Sequence, residues 1–229
     1  MGPSGRPTVG GLFSTSTNLG TGEIVSAGAR DAFVVHFDES GIPVWSRVFG
    51  STGGDEITGI AADATGRVYV CGRFEGTVDF DAAALTSAGG SDGFVASFEP
   101  DGTARWAVRT SGPAADHLGH IAHAPGGVLV SGGGFFESFS AGGIDVVSAG
   151  REDGILVAHD DAGNVLWATA LGGTGSDSIR DVATGLDGAV YAIGIYNETA
   201  DFGTGPCTAD AADFFVVAVV GTGHEDAPA

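Results

Sequence analysis

The phrase DAFVVHFDESGIPVW at 31–45 returns as DGFVASFEPDGTARW at 92–106 and as DGILVAHDDAGNVLW at 153–167. Trp45, Trp106 and Trp167 are spaced by 61 and 61 residues. Asp31, Asp92, Asp153 and Asp213 are spaced by 61, 61 and 60, and Asp55, Asp116 and Asp177 by 61 and 61. Three markers keeping one period of this length restrict the chain to repeat architectures. In these, each unit is one supersecondary element whose apolar face is covered by its neighbour.

Inside a unit, short apolar runs alternate with Gly and Asp punctuation. In the second unit the runs are VYVCGRF (68–74), GFVASF (93–98), ARWAVR (104–109) and HIAHA (120–124). Their length and β-branched or aromatic content predict four strands per unit and no helix. Gly41, Gly102 and Gly163 each end a short polar link where a hairpin needs positive φ, and Gly66, Gly127 and Gly188 do so at another turn. Four-stranded units with one aromatic each are the pattern of propeller blades. The expected fold is therefore an all-β β-propeller with blades of about 61 residues. Trp45, Trp106 and Trp167 are expected between neighbouring blades, where their apolar area stabilises the stack.

The chain reads as a single repeat domain over 1–229. Its units are a partial one at 5–65, then 66–126 and 127–187, an incomplete one at 188–223 and a tail at 224–229. GRPTVGGLF (5–13) aligns with GRVYVCGRF (66–74), so the first unit starts at its second strand. At the other end the hairpin glycine recurs as Gly223, but Ala227 stands where the next Trp is due. Four copies of two strand types and three of the other two give fourteen strands, about three and a half blades. An open arc exposes a sheet face and strand edges. The expectation is thus a segment of a longer propeller, with self-association as the alternative.

The runs GSTGGDEITGIAADATGRVYVCGRF (50–74), DFDAAALTSAGGSDGFVASFEPDGTARW (79–106) and LGGTGSDSIRDVATGLDGAVYAIG (171–194) resemble the bacterial SBBP repeats, the seven-bladed β-propeller repeats of large exported proteins. The resemblance spans about residues 5–223. It implies a structural or binding module at the cell envelope or outside the cell, and it brings no catalytic residues.

Charge narrows the partners. There are 29 acidic residues against 9 basic ones, all Arg, for a formal net charge of -20. Such a field repels nucleic acid and anionic lipid, leaving an unknown protein or glycan as the expected partner. The opening MGPSGRPTVGG has no apolar core of a signal peptide, and no run of about 18 apolar residues occurs, so neither a signal peptide nor membrane insertion is expected from the chain as given. Cys71 and Cys207 occupy non-equivalent repeat positions and form no disulfide framework.

Few residues suggest chemistry. His117, His120 and His123 form HLGHIAH, but a regular strand points side chains three apart to opposite sides, which argues against zinc. Asp55, Asp116 and Asp177 in Gly-rich loops are calcium candidates, with turn fixing as the competing role. No G-x-S-x-G, H-E-x-x-H or Walker sequence occurs, and a chain without Lys has no Schiff-base nucleophile. No other cofactor is expected. A hydrolase or lyase acting on a glycan or small molecule would first be sought at His36, His159 and Arg180, polar departures from the unit pattern.

Overall fold

The computed structural model describes residues 6–20 and 22–219, and Gly223, Ala227 and the tail lie outside them. The described residues form strands and no helix. The first group is β1 (Thr8–Phe13), the short pair β2 (Ser16–Asn18) and β3 (Glu23–Val25), β4 (Asp31–Phe37) and β5 (Pro43–Phe49). The second is β6 (Glu56–Ala62), β7 (Val68–Phe74), the short pair β8 (Thr77–Asp79) and β9 (Ala84–Thr86), β10 (Asp92–Phe98) and β11 (Ala104–Thr110). The third is β12 (His117–His123), β13 (Leu129–Ala141), β14 (Ile144–His159) and β15 (Val165–Gly173). The last is β16 (Ser178–Thr184), β17 (Val190–Asp201) and β18 (Pro206–Val219).

Pairing is antiparallel and follows chain order: β1-β4-β5, then β6-β7-β10-β11, then β12-β13-β14-β15, then β16-β17-β18. All fourteen strands expected from the repeat are present. The third and fourth sheets also touch through Gly172↔Asp201 and Gly173↔Ala200. Units cut at Gly66 and Gly127 run from the second strand of one sheet to the first strand of the next.

The link between the second and third strands of a four-stranded sheet, and between β1 and β4 in the first, is a small two-stranded ribbon. β2 pairs β3 and β8 pairs β9, while in the later sheets the ribbon continues β13 into β14 and β17 into β18. At its root one residue turns left-handed every 61 positions: Thr15, Gly76, Glu137 and Glu198, with φ of 74, 71, 58 and 59°. Only one is glycine, so the unit geometry holds three side chains in a conformation that costs each about 1 kcal/mol.

The apolar core lies between successive sheets. Ala32, Val34, Trp45 and Phe49 of the first sheet meet Val70, Phe94, Ala96 and Phe98 of the second. Tyr69, Cys71 and Val95 then meet Leu118, Ile121 and Ile155, and Val130 and Leu156 meet Ile179 and Val182. Trp45 and Trp106 tie these layers, while the turn expected to receive Trp167 lies outside the described residues. Trp45 Nε1 donates to the Pro100 carbonyl at 3.0 Å, and Trp106 Nε1 to the Asp161 carbonyl at 3.0 Å. The indoles lie flat on the hairpin glycines of the next sheet: a Cβ on Gly102 would be 2.7 Å from Trp45, and one on Gly163 2.7 Å from Trp106.

Gly41 is the same turn with φ of 77°, against 83° for Gly102, yet nothing lies within 4 Å of its missing Cβ. The left-handed penalty of about 1–2 kcal/mol therefore cancels between Gly41→Ala and Gly102→Ala. We expect Gly102→Ala to be the more destabilising by about 1–3 kcal/mol, the cost of overpacking an indole. Urea unfolding of the two variants measures it, and equal midpoints would mean that the indole is not seated.

Candidate functional site

The repeated aspartates are clamps. Asp55 accepts the Ser51 N–H at 2.7 Å and the Glu75 N–H at 3.1 Å on its two oxygens. Asp116 does the same with Gly112 at 2.5 Å and Phe136 at 3.2 Å, and Asp177 with Gly173 at 2.7 Å and Asn197 at 2.9 Å. The donors stand four residues before and twenty after each aspartate. Each carboxylate thus joins the end of one sheet's last strand to the end of the next sheet's second strand.

Asp31, Asp92 and Asp153 serve the ribbons, accepting the N–H groups of Ala27, Ala88 and Ala149 at 2.9, 2.7 and 2.7 Å. They are buried beside the clamps, and Asp92 Oδ1 and Asp153 Oδ1 have no hydrogen-bond partner. Asp213 differs: it is exposed, in a sheet with no fourth strand among the described residues. Burial pushes the Asp116 carboxyl up to about 6, with the Asp92 and Glu137 charges adding to it and the backbone N–H bonds opposing. Asp55 and Asp177 shift upward for the same first reason. Among the described residues no group of three or more His, Cys, Asp or Glu is arranged to hold a metal ion.

The histidine expectation needs correcting at the backbone. β6, β12 and β16 lie side by side, tied by Thr58 Oγ1 donating to the Leu118 carbonyl at 2.6 Å and Thr184 Oγ1 to that of His123 at 3.0 Å. Each carries a bulge at the same place, between Ile57 and Gly59, Leu118 and His120, and Ile179 and Asp181. The bulge absorbs one residue of the alternation. Leu118 and Ile121, three apart, therefore enter the same core, and His117 and His120 share the other side. His123 turns to the core side and stacks on Tyr69, ring centroids 5.2 Å apart.

This corrected alternation gathers a polar group along the row. His120 Nδ1 is 3.5 Å from Asp181, and Arg73 donates to Glu56 at 3.2 Å. His117 and Glu152 both lie over Gly134, whose absent Cβ would be 3.0 Å from His117 Cε1 and would touch Glu152 Oε1. Burial lowers the His117 pKa, and the charges of Arg73, Arg180 and His120 lower it further. Burial raises that of Glu152 against the opposing pull of Arg180. Neutral imidazoles, carboxylates and two guanidiniums, on this strand row and beside it on β7 and β14, can bind a polar ligand through donors and acceptors of both kinds. Next to it, a recess of about 60 Å³ lined by Arg30, Glu56 and Arg73 has room for little more than water.

The trio His36, His159 and Arg180 is not brought together, since the three stand on β4, β14 and β16. His36 is buried, bonds Thr8 Oγ1 at 2.9 Å and stacks on Trp45. His159 is buried against Trp106, and burial pushes its pKa down to about 4. Only Arg180, the bulge residue of β16, is exposed and reaches the polar row. Glu56, Arg73, Glu152 and Asp181 were not singled out from the sequence. Their signal was a charged residue beside an apolar run, which is indistinguishable from an ordinary solvent-facing position.

Cys71 and Cys207 are free; Cys71 is buried, which pushes its thiol up to about 12. No helix among the described residues is long and apolar enough to cross a membrane. No known family model matches the chain, and no curated protein matches it.

Proposed function

We propose that this chain is an arc of a β-propeller of SBBP-type repeats, serving without catalysis as a structural and ligand-binding module of a bacterial cell-surface or secreted protein. The succession of antiparallel meanders of three or four strands, with an indole seated on the next sheet's hairpin glycine at the first two junctions, supports the architecture. The observation that carries the binding role is that Arg73 of β7 and Glu152 of β14 join His117, His120, Arg180, Glu56 and Asp181 of the row β6, β12 and β16. These are the first strands of their sheets, and in a propeller the first strand of each blade faces the central channel, where ligands are taken. Mixed charge with neutral imidazole suits a polar neutral or zwitterionic ligand such as a glycan or a peptide end.

A second reading, a propeller hydrolase or lyase, draws on His117 and Glu152 over Gly134. Burial favours the neutral form of each, an imidazole able to accept a proton and a carboxylic acid able to donate one. A calcium-dependent adhesive role would draw on Asp55, Asp116 and Asp177, whose oxygens already accept backbone N–H groups.

One screen separates the three. Binding to a glycan and peptide array is expected to fall at least tenfold in Arg180→Ala, with an unchanged melting temperature. Turnover of the captured ligand, lost in Glu152→Gln, would replace the module by the enzyme. Binding that appears only with calcium and disappears with chelator would replace it by the adhesin. Binding indifferent to Arg180 would remove the strand row as the site.

A further inference from the structure

We propose that the uncovered face of β1, β4 and β5 is a docking surface for one more unit of the same repeat in the same polypeptide, seated by a tryptophan on Gly41. The inference rests on the stacked-repeat part of the functional reading and not on ring closure. The face carries a groove of about 330 Å³ lined by Val9, Phe33, Val35, Phe37, Gly41 and Pro43, among others. One period on, Val9, Phe33, Val35, Phe37 and Gly41 become Val70, Phe94, Ala96, Phe98 and Gly102. In that second sheet the four side chains are 0, 0, 1 and 0% exposed, covered by the first sheet, with Trp45 lying on Gly102. In the first sheet Val9 is 48% exposed, Phe33 and Phe37 are half-buried, Val35 between them on β4 is 2% exposed, and Gly41 has nothing over it. The groove is therefore the same half-interface that the chain fills at its internal junctions, with its indole seat open.

The chemistry of the occupant follows from what fills the other seats. Trp45 and Trp106 stand 57 residues before Gly102 and Gly163 (102 − 45 and 163 − 106), each on the last strand of the preceding sheet. The chain has three tryptophans, on β5, β11 and β15. A second copy docking through its opposite end would present Tyr191, Ile193, Phe214 and Val216, which are exposed there, but no indole. Connection within one chain is direct. Successive sheets are joined by residues 50–55, 111–116 and 174–177, short enough to deliver the next unit into contact without a linker. The same unit would bring a copy of β6 beside β1, whose far edge pairs with no strand among the described residues.

The test is a chain in which residues 6–66 are duplicated directly ahead of Arg6. This places a second copy of Trp45 at the repeat distance from Gly41 and a copy of 56–62 next to β1. We expect a monomer by light scattering, a Tm raised by roughly 5 °C or more, slower amide exchange in β1, and an added tryptophan shielded from acrylamide. Trp→Ala in the duplicate, or Gly41→Asn, which accepts the left-handed turn but sets a Cβ against the indole, should each remove the rise. In the original chain Gly41→Asn should shift Tm by no more than about 1–2 °C.

A duplicated unit that folds but leaves Tm unchanged and its tryptophan open to quencher overturns the proposal while leaving the functional reading standing. A dimeric original chain that dissociates on Gly41→Asn overturns it in favour of a second copy. The array result for Arg180→Ala is independent of both.

Discussion

Trp45→Ala is expected to cost about 3–5 kcal/mol, the range for emptying a buried large aromatic site. Trp45 is 5% exposed, stacks on His36, contacts Phe98, and donates to the Pro100 carbonyl at 3.0 Å across the junction. A domain of this kind holds about 5–15 kcal/mol in total, so the loss is a large share of it. The damage should be local. The first sheet meets the rest of the stack only at its junction with the second, so β1, β4 and β5 should open at lower free energy than β13 and β14. Native-state hydrogen exchange reads this directly. A uniform loss over all sheets, or a loss under about 1 kcal/mol, would mean that the indole is not what holds the junction.

The second large effect is on pH. The Asp116 carboxyl titrates at about 6 in the folded chain against an ordinary value of 3.8, chiefly because it is buried. A raised folded value means that the native state holds this proton more tightly than the unfolded chain does. The stabilisation is complete below about 4 and disappears as pH rises through about 6, a swing on the order of 3 kcal/mol. Asp55, Asp92, Asp153 and Asp177 shift the same way, and a net charge of -20 adds repulsion at higher pH. Burial acts the other way on the histidines, pushing His159 down to about 4 and lowering His36, His117 and His120, so their neutral forms lose stability as pH falls. The Asp116 contribution is therefore read as the difference between the parent and Asp116→Asn.

Asp116→Asn cannot titrate, and it offers one acceptor where the Gly112 and Phe136 N–H groups need two. It should be less stable than the parent by about 1–3 kcal/mol at pH 5, with the gap narrowing towards pH 7.5. Parallel curves for parent and variant would assign the pH dependence to the other aspartates and the buried histidines.

The period made the strands, their antiparallel succession and the turn glycines readable, because 61-residue spacing compares each position with itself. What it concealed was geometry repeated without a chemical marker. Thr58, Gly119 and Arg180 are the bulge residues of β6, β12 and β16, and three such unlike side chains give no hint of a shared kink. Missing the bulge reversed the expected facing of His117 and His120 and hid the polar row. Glu137 and Glu198 are left-handed where Gly76 would be anticipated, since the ribbon around them dictates the backbone. The ribbons escaped because β8 and β9 hold three residues each, too few to show an alternation. Asp55, Asp116 and Asp177 were visible as repeated loop carboxylates. Their second donors, at Glu75, Phe136 and Asn197, lie twenty residues further on and are backbone groups, which no side-chain pattern records.

The aspartate clamps also set how such a chain would bear load. Each fastens the end of one sheet to the second strand of the next, and each must break before the following sheet feels the full pull. Tension applied at the two ends should release the stack sheet by sheet, in extensions of about 200 Å for each 61-residue period. A string of equal breakaway links dissipates work over a long distance and lets a tether yield in instalments instead of snapping.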